Sequence, residues 1–292
     1  MPTPRAGRSS DQRSPRLTPA GKIHFLGIGI NTYQHWPNLR NAVRDVEAIV
    51  ELLQTEYGLE AERVTLLRNE QATRRNIILK LEKIKRKVHD PDSLIIYYAG
   101  HGHMNDNQRG FWIPVDAPQD GVDQYIRNTT LKAYIGDTPS RHTLLISDAC
   151  FSGSLFVRGE RSANLEVGEL VKLPSRWAIC SGRHDETVAD GPEGGHSPFA
   201  QSLLDVLGQT QRSYLTVNSL YEQVREQTRA NYEQLPDGGP LQGVGHGRGQ
   251  FVFQRMQDET GTWEAAQVAH TVAAYARYLS LFPEGKFRAE AQ

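Results

Sequence analysis

The stretch Ser93-Leu94-Ile95-Ile96-Tyr97-Tyr98-Ala99-Gly100-His101-Gly102-His103 decides how the rest of the chain is read. Its first six residues are almost wholly apolar, as in a strand covered on both faces, which is the mark of a parallel sheet. The run then passes straight into glycines that flank a histidine. Forty-nine residues after His101 a second strand does the same, with Thr143-Leu144-Leu145-Ile146-Ser147 leading into Asp148-Ala149-Cys150-Phe151-Ser152-Gly153. That separation fits a strand–helix–strand crossover. In open parallel α/β sheets ligands bind beyond the carboxyl ends of strands, so an imidazole and a thiol belong to one sheet edge.

Working outward, Ile23 to Gly29 is a short apolar strand. Leu39, Ala42, Val43, Val46, Ile49, Val50 and Leu53 then follow the i, i+3, i+4, i+7 period of a helix that Tyr57-Gly58 stops. Val64 to Leu67 is a second strand. Thr73 caps a helix to about residue 88, with Ile77, Leu81, Ile84 and Val88 on its buried side. Trp177 to Ser181, a helix from Pro198 to Leu207 and a strand from Gln250 to Phe253 continue the alternation. The expected fold class is α/β, a mostly parallel central sheet with helices on both faces. Trp263 to Phe282 has a helical pattern, which Pro283-Glu284-Gly285 breaks before Lys286 starts it again. One such unit has the rhythm of a tetratricopeptide-like pair, and equally that of C-terminal helices docked on the domain.

Composition narrows the function classes. The 292 residues carry 33 Lys+Arg against 34 Asp+Glu, a formal net charge of −1, which removes the electrostatic argument for nucleic acid or an anionic membrane as partner. No apolar run approaches the roughly 18 residues that span a bilayer. Two cysteines, Cys150 and Cys180, exclude a disulfide scaffold and a four-thiolate zinc site. A reducing, cytoplasmic location follows as the expectation. Cys180, within an apolar strand-like segment, reads as structural.

A thiolate is a strong nucleophile, and a neutral imidazole can take its proton and later return it to a leaving amine. Neighbouring glycines let a backbone N–H approach a developing oxyanion. Taken singly, a buried cysteine is most often an inert small hydrophobe. Paired with His101 at one edge, Cys150 suits a Cys–His acyl-transfer site. Gly27-Ile28-Gly29 lacks the third glycine of a dinucleotide fingerprint and no Walker lysine is present. His101-Gly102-His103 has the wrong spacing for two ligands on a helix face, so no metal is assigned. His103 is expected in an exposed loop.

Tyr97-Tyr98-Ala99-Gly100-His101-Gly102 and Ser147-Asp148-Ala149-Cys150-Phe151-Ser152-Gly153 resemble the His and Cys blocks of the caspase-like cysteine peptidases, family C14. With Asp before Ala-Cys and Phe-Ser-Gly after it, the chain is closest to metacaspases and their prokaryotic, orthocaspase-type relatives. Gly27 to Asn31, Leu39 to Asp45, Pro114-Val115-Asp116 and Ser181 to Asp190 match in order, and the resemblance covers about 22–255. It implies the caspase–hemoglobinase fold, with His101 as general base, Cys150 as nucleophile, and the N–H groups of Gly102 and Cys150 as oxyanion hole.

The resemblance also implies that Asp45 and Asp148 line the pocket for the residue before the scissile bond. Two carboxylates there would attract a guanidinium or ammonium and repel aspartate, so a protein or peptide substrate cut after Arg or Lys is expected. Ala99 stands where metacaspases often have Ser, which removes one polar contact of that pocket. Asp185 is carried as a further substrate-binding candidate. The loop after His101 holds only Asp106, Asp116, Asp120 and Asp123, short of converging oxygen ligands. No cofactor is therefore expected, and calcium activation is left open only by family analogy.

These readings divide the chain into a flexible basic tail (1–21), a peptidase domain (22–255) and a C-terminal helical segment (256–292). Within the domain a large portion (22–157) and a small one (176–255) flank a linker (158–175). Arg158 and Arg161 are the autoprocessing candidates, with Lys172 and Arg176 further on. The functional expectation is a cysteine endopeptidase, regulated by autoprocessing or an activating protein partner and acting in bacterial stress, cell death or defence. The alternative is a catalytically latent caspase-like scaffold that recruits a protein partner through its C-terminal helices.

Overall fold

The computed structural model describes residues 21–150, 166–182, 190–210, 212–232, 234–256 and 259–292, with only the backbone of Cys150. β1 (Ile23–Gly29), α1 (Ala42–Tyr57), β2 (Val64–Arg68), α2 (Arg74–Lys87) and β3 (Ser93–Ala99) alternate at the start. Three short strands, β4 (Gly102–Met104), β5 (Gly110–Trp112) and β6 (Ile126–Arg127), precede α3 (Asn128–Asp137) and β7 (His142–Cys150). There follow α4 (Val167–Leu170), β8 (Ser175–Gly182), α5 (Pro198–Gln209), β9 (Tyr214–Thr216), α6 (Val217–Asn231), β10 (Asp237–Pro240) and β11 (Val252–Gln254). α7 (Glu259–Ala269), α8 (Val272–Leu281) and α9 (Arg288–Ala291) end the chain.

The central sheet has the order β10-β8-β7-β3-β1-β2. All its pairings are parallel except that of β10, which runs antiparallel to β8. Side chains on a strand alternate between faces, and β3 divides its residues accordingly. Leu94, Ile96 and Tyr98 pack with Ile77 and Leu81 of α2 and Leu131 of α3. Ile95, Tyr97 and Ala99 pack with Val46 and Ile49 of α1, Phe199 and Leu203 of α5, and Leu220 of α6. Thus the α/β expectation holds, with helices on both faces.

Local signals set the helix ends. Gly58 adopts φ +70° at the C-terminus of α1, a left-handed position that suits glycine. Thr73 Oγ1 accepts from Asn76 N–H at the start of α2. Ser197 caps α5, and Pro198 takes the first helical position, where a missing N–H costs nothing.

Several expectations need correction. The strand at Gln250 to Phe253 is outside the central sheet: β11 pairs antiparallel with β9 in a separate ribbon. His103 is not in an exposed loop; it is partly buried in β4, its ring 5.6 Å from Tyr125 and 6.0 Å from Phe111. Arg176 is no cleavage candidate. It is 6% exposed on β8, and its guanidinium donates to the carbonyls of Thr138, Ser140, Arg141 and Ser175. Residues 167–170, expected within a linker, form α4. The C-terminal pattern breaks earlier than Pro283, at His270-Thr271, where His270 has φ +44° and Thr271 caps α8. No Gly or Pro punctuates that turn, so the apolar period reads through it.

α7 to α9 enclose a small core of their own around Trp263, Ala266, Tyr278 and Ala291, with Trp263 stacked on Phe287 at 5.2 Å. Among the described residues no helix is long and apolar enough to cross a membrane.

Candidate active site

The register of β3 and β7 positions the reactive blocks. Ala99 and Asp148 are Cα partners, so His101 and Cys150 each lie two residues beyond a matched pair on adjacent parallel strands. The β7–β8 register slips between Ser147 and Cys150, a bulge at the end of the strand that carries the cysteine. Bulges of this kind re-aim the residues beside them.

His101 is held from several sides. Its Nε2 stands 2.7 Å from the Pro37 carbonyl oxygen. A carbonyl can only accept, so Nε2 carries the proton and Nδ1 is left with its lone pair. The imidazole packs on Tyr33 and Trp36, with ring centroids at 4.8 and 5.6 Å. Burial lowers the His101 pKa below the usual histidine value, with the Pro37 bond and the Asp190 charge opposing it. The backbone is clamped as well: His101 N–H donates to Tyr33 Oη at 2.8 Å, and Tyr98 Oη–H donates to His101 O at 2.6 Å. Tyr98 in turn stacks on Trp112 at 4.3 Å, and Trp112 Nε1–H donates to Ser147 Oγ at 3.1 Å. A Cβ at Gly100 would lie 2.5 Å from Tyr33 Oη and 2.8 Å from Tyr98 Oη, so only glycine fits between the two hydroxyls.

The acidic residues gather on the other face of the sheet. Asp45, in the first turn of α1, is 1% exposed, and Asp148 on β7 is 7% exposed. They are joined through the start of α5. Ser197 Oγ–H donates to Asp148 Oδ2 at 2.5 Å, and Ser197 N–H donates to Asp45 Oδ2 at 3.3 Å. Asp45 Oδ1 lies 2.6 Å from His196 Nδ1. Asp190 completes the group; its carboxylate receives the N–H groups of Arg40 and Asn41 just before α1. Burial pushes the Asp45 carboxyl up to about 7, and the Asp190 charge adds to it. Asp148 also rises to about 7, through burial first and then its proximity to Asp45. Among the described residues, no lysine or arginine forms an ion pair with any of the three. Asp148 Oδ1 is buried with no partner inside hydrogen-bond distance among those residues, although the nearby Ser181 side chain acts to lower its carboxyl pKa. Tyr97 Oη is likewise unpartnered, its pKa raised by burial first and then by both carboxylates.

The structure thus brings Asp45 together with Asp148, and puts Ala99 beside Asp148 in register. Gly102 opens β4, directly after His101. Asp185, Arg158 and Arg161 lie outside the described residues, as does the side chain of Cys150. Cys180 is fully buried, and burial holds its thiol far above the ordinary range, so it stays protonated. Sequence reasoning missed Tyr33, Trp36 and Pro37, which lie in an unpatterned loop. It also missed His196 and Ser197. The Ser197-Pro198 pair announces a helix start, but nothing local says that its hydroxyl is shared with a carboxylate on β7.

A six-stranded, mostly parallel sheet with a histidine just beyond the end of β3 and a cysteine at the end of the adjacent β7 defines the caspase-like class of α/β proteins. The comparisons agree. Residues 24–238 match the caspase domain family, Peptidase_C14, and the chain belongs to that family. It is 29% identical to metacaspase-1 of Eremothecium gossypii over 173 residues, covering 54% of this chain and 37% of that protein. To metacaspase-4 of Arabidopsis thaliana it is 24% identical over 228 residues, covering 72% of this chain and 50% of the relative. The chain therefore spans half or less of these relatives' length. The crystal structure of caspase-1 from Spodoptera frugiperda superposes with a TM-score of 0.56 at 14% identity, over 84% of this chain and 98% of that one. A Geobacter sulfurreducens protein superposes with the same TM-score, 0.56, at 18% identity, over 81% of this chain and 100% of the other.

Proposed function

We propose that this chain is a cysteine endopeptidase that cleaves after Arg or Lys. The observation that carries the reading is the His101–Pro37 contact, which leaves Nδ1 as the basic nitrogen at the strand end next to that of Cys150. In the proposed cycle Nδ1 takes the thiol proton and Sγ attacks the scissile carbonyl carbon. The oxyanion is received by the N–H groups of Gly102 and Cys150. Collapse breaks the C–N bond, the leaving amine takes the proton from the imidazolium, and a thioester remains. Water, deprotonated by the same imidazole, then releases the acid and restores the thiol.

Specificity in this reading comes from Asp45 and Asp148, with Asp190 beside them. Among the described residues these three carboxylates have no lysine or arginine partner and one keeps a buried oxygen without a hydrogen bond, which favours a guanidinium or ammonium over an aspartate side chain. The reading includes no cofactor. Autoprocessing after Arg158 or Arg161, an activating partner, a cytoplasmic location and a role in bacterial stress, cell death or defence belong to it by family analogy alone.

The test is hydrolysis of matched fluorogenic peptides ending in Arg, Lys or Asp by wild type and Cys150→Ala. Cleavage after Arg or Lys that vanishes in the variant supports both nucleophile and pocket. Cleavage after Asp overturns the specificity. Silence on every peptide favours a second reading, a latent scaffold, for which the separate core of α7 to α9 offers a docking unit.

A further inference from the structure

The loop between Asp190 and α5 contributes an imidazole to the acidic group. His196 Nδ1 is 2.6 Å from Asp45 Oδ1, and the Asp45 carboxylate is sealed at 1% exposure while the His196 side chain is 21% exposed. The ring therefore stands between that carboxylate and solvent. Its backbone is pinned, because a Cβ on Gly191 would lie 2.0 Å from His196 O. Its side chain has Asp45 as its hydrogen-bond partner among the described residues. Arg44, Asp205, Asp148 and Asp190 surround the pair; the Arg44 charge acts on both partners, and its Nη1 donates to Gly194 O at 2.7 Å.

We propose that His196 is a specificity-determining residue that occupies Asp45 in the unliganded enzyme and must be displaced by the basic side chain of the substrate. This rests on the reading of Asp45 and Asp148 as the basic-residue pocket. A guanidinium presents five N–H donors in one plane and can serve Asp45 together with Asp148 Oδ1, which has no hydrogen-bond partner among the described residues, whereas the imidazole meets Asp45 through one ring nitrogen. The exchange replaces one hydrogen bond by several. Its cost falls on binding alone, because His196 touches no reacting atom. A neutral side chain of the same shape gains nothing from the exchange and leaves the imidazole in place.

The experiment compares wild type, His196→Ala and His196→Gln on peptides ending in arginine or in citrulline, its uncharged isostere, with benzamidine as a competitive probe. His196→Ala is expected to lower KM for the arginine peptide and the inhibition constant of benzamidine about fivefold, the effect of one net hydrogen bond, with kcat unchanged. Turnover of the citrulline peptide is expected to stay as in wild type. His196→Gln keeps a donor of similar reach and is expected to retain the wild-type KM. In wild type, benzamidine is expected to move the His196 ring-nitrogen resonance, a readout that does not depend on the alanine variant folding. An unchanged or raised KM in a folded His196→Ala, or a ring resonance that stays put when benzamidine binds, overturns the proposal. If wild type neither cleaves after arginine nor binds benzamidine, the pocket reading itself fails.

Discussion

His101 Nε2 and the carbonyl oxygen of Pro37, 64 residues apart in sequence, are 2.7 Å apart in the fold. A main-chain acceptor does here what a carboxylate does in a Ser–His–Asp triad: it selects the tautomer and aims the ring. It adds no formal charge, and the Pro37 bond and the Asp190 charge raise the basicity of the imidazole less than burial lowers it.

From this follows a pH split. In the proposed cycle the imidazole is neutral when it takes the thiol proton, so kcat is expected to fall as pH drops, with its acid limb below the usual histidine value of 6.5. In the proposed pocket Asp45 and Asp148, raised to about 7, must be ionised to hold a cation. KM for an arginine peptide is therefore expected to fall as pH rises through about 7. Separate pH profiles of kcat and KM check this, and one shared limb would contradict it.

Asp148→Asn should trade activity for stability. Losing one charge-assisted contact is expected to raise KM for the arginine peptide at least about 10-fold. The carboxyl pKa is raised in the fold, from 3.8 to about 7, so the folded state holds the proton longer than the unfolded chain. The stability tied to that proton is full at low pH and is lost as pH rises between those two values. The amide does not titrate. Its melting temperature is expected to exceed wild type at pH 8 by about 2–4 °C for each kcal/mol recovered, and the gap should narrow as pH falls below about 7 and close only towards 3.8.

Tyr98→Phe removes the hydroxyl that donates to His101 O at 2.6 Å and Ile113 O at 3.1 Å, while the ring keeps its stack on Trp112. A loosened general base is expected to lower kcat about 10-fold with KM unchanged. Equal changes in both constants would instead mark a general loss of packing.

Arg176→Met tests a structural anchor far from the acidic pocket. Its guanidinium donates to carbonyls of the α3–β7 loop and of β8, and the thioether would remove those donors, leaving Arg141 O only the Ser175 N–H. Urea unfolding is expected to show a loss of about 3 kcal/mol, with the kcat of the folded fraction unaltered. A chelator such as EGTA is expected to leave the wild-type rate unchanged, and a loss restored by calcium would reassign the role of the acids.

How much of this could be read without coordinates follows from the range of each interaction. The period of α1, the caps at Thr73, Ser197 and Gly58, and the apolar runs of β1, β3 and β7 are local, set by neighbours within a turn or a strand. Sequence alone therefore determined the α/β class, the shared sheet edge of His101 and Cys150, and the glycines on either side of His101. It misjudged β11 and the α7–α8 turn, where a short apolar run and an unpunctuated alanine-rich stretch each permit more than one structure. Only the tertiary structure decided which backbone carbonyl orients His101, that Ser197 ties Asp148 to Asp45, and that His196 stands on the Asp45 carboxylate. Those contacts join residues about 50 to 150 positions apart through polar atoms, and such pairs leave no periodicity in a sequence.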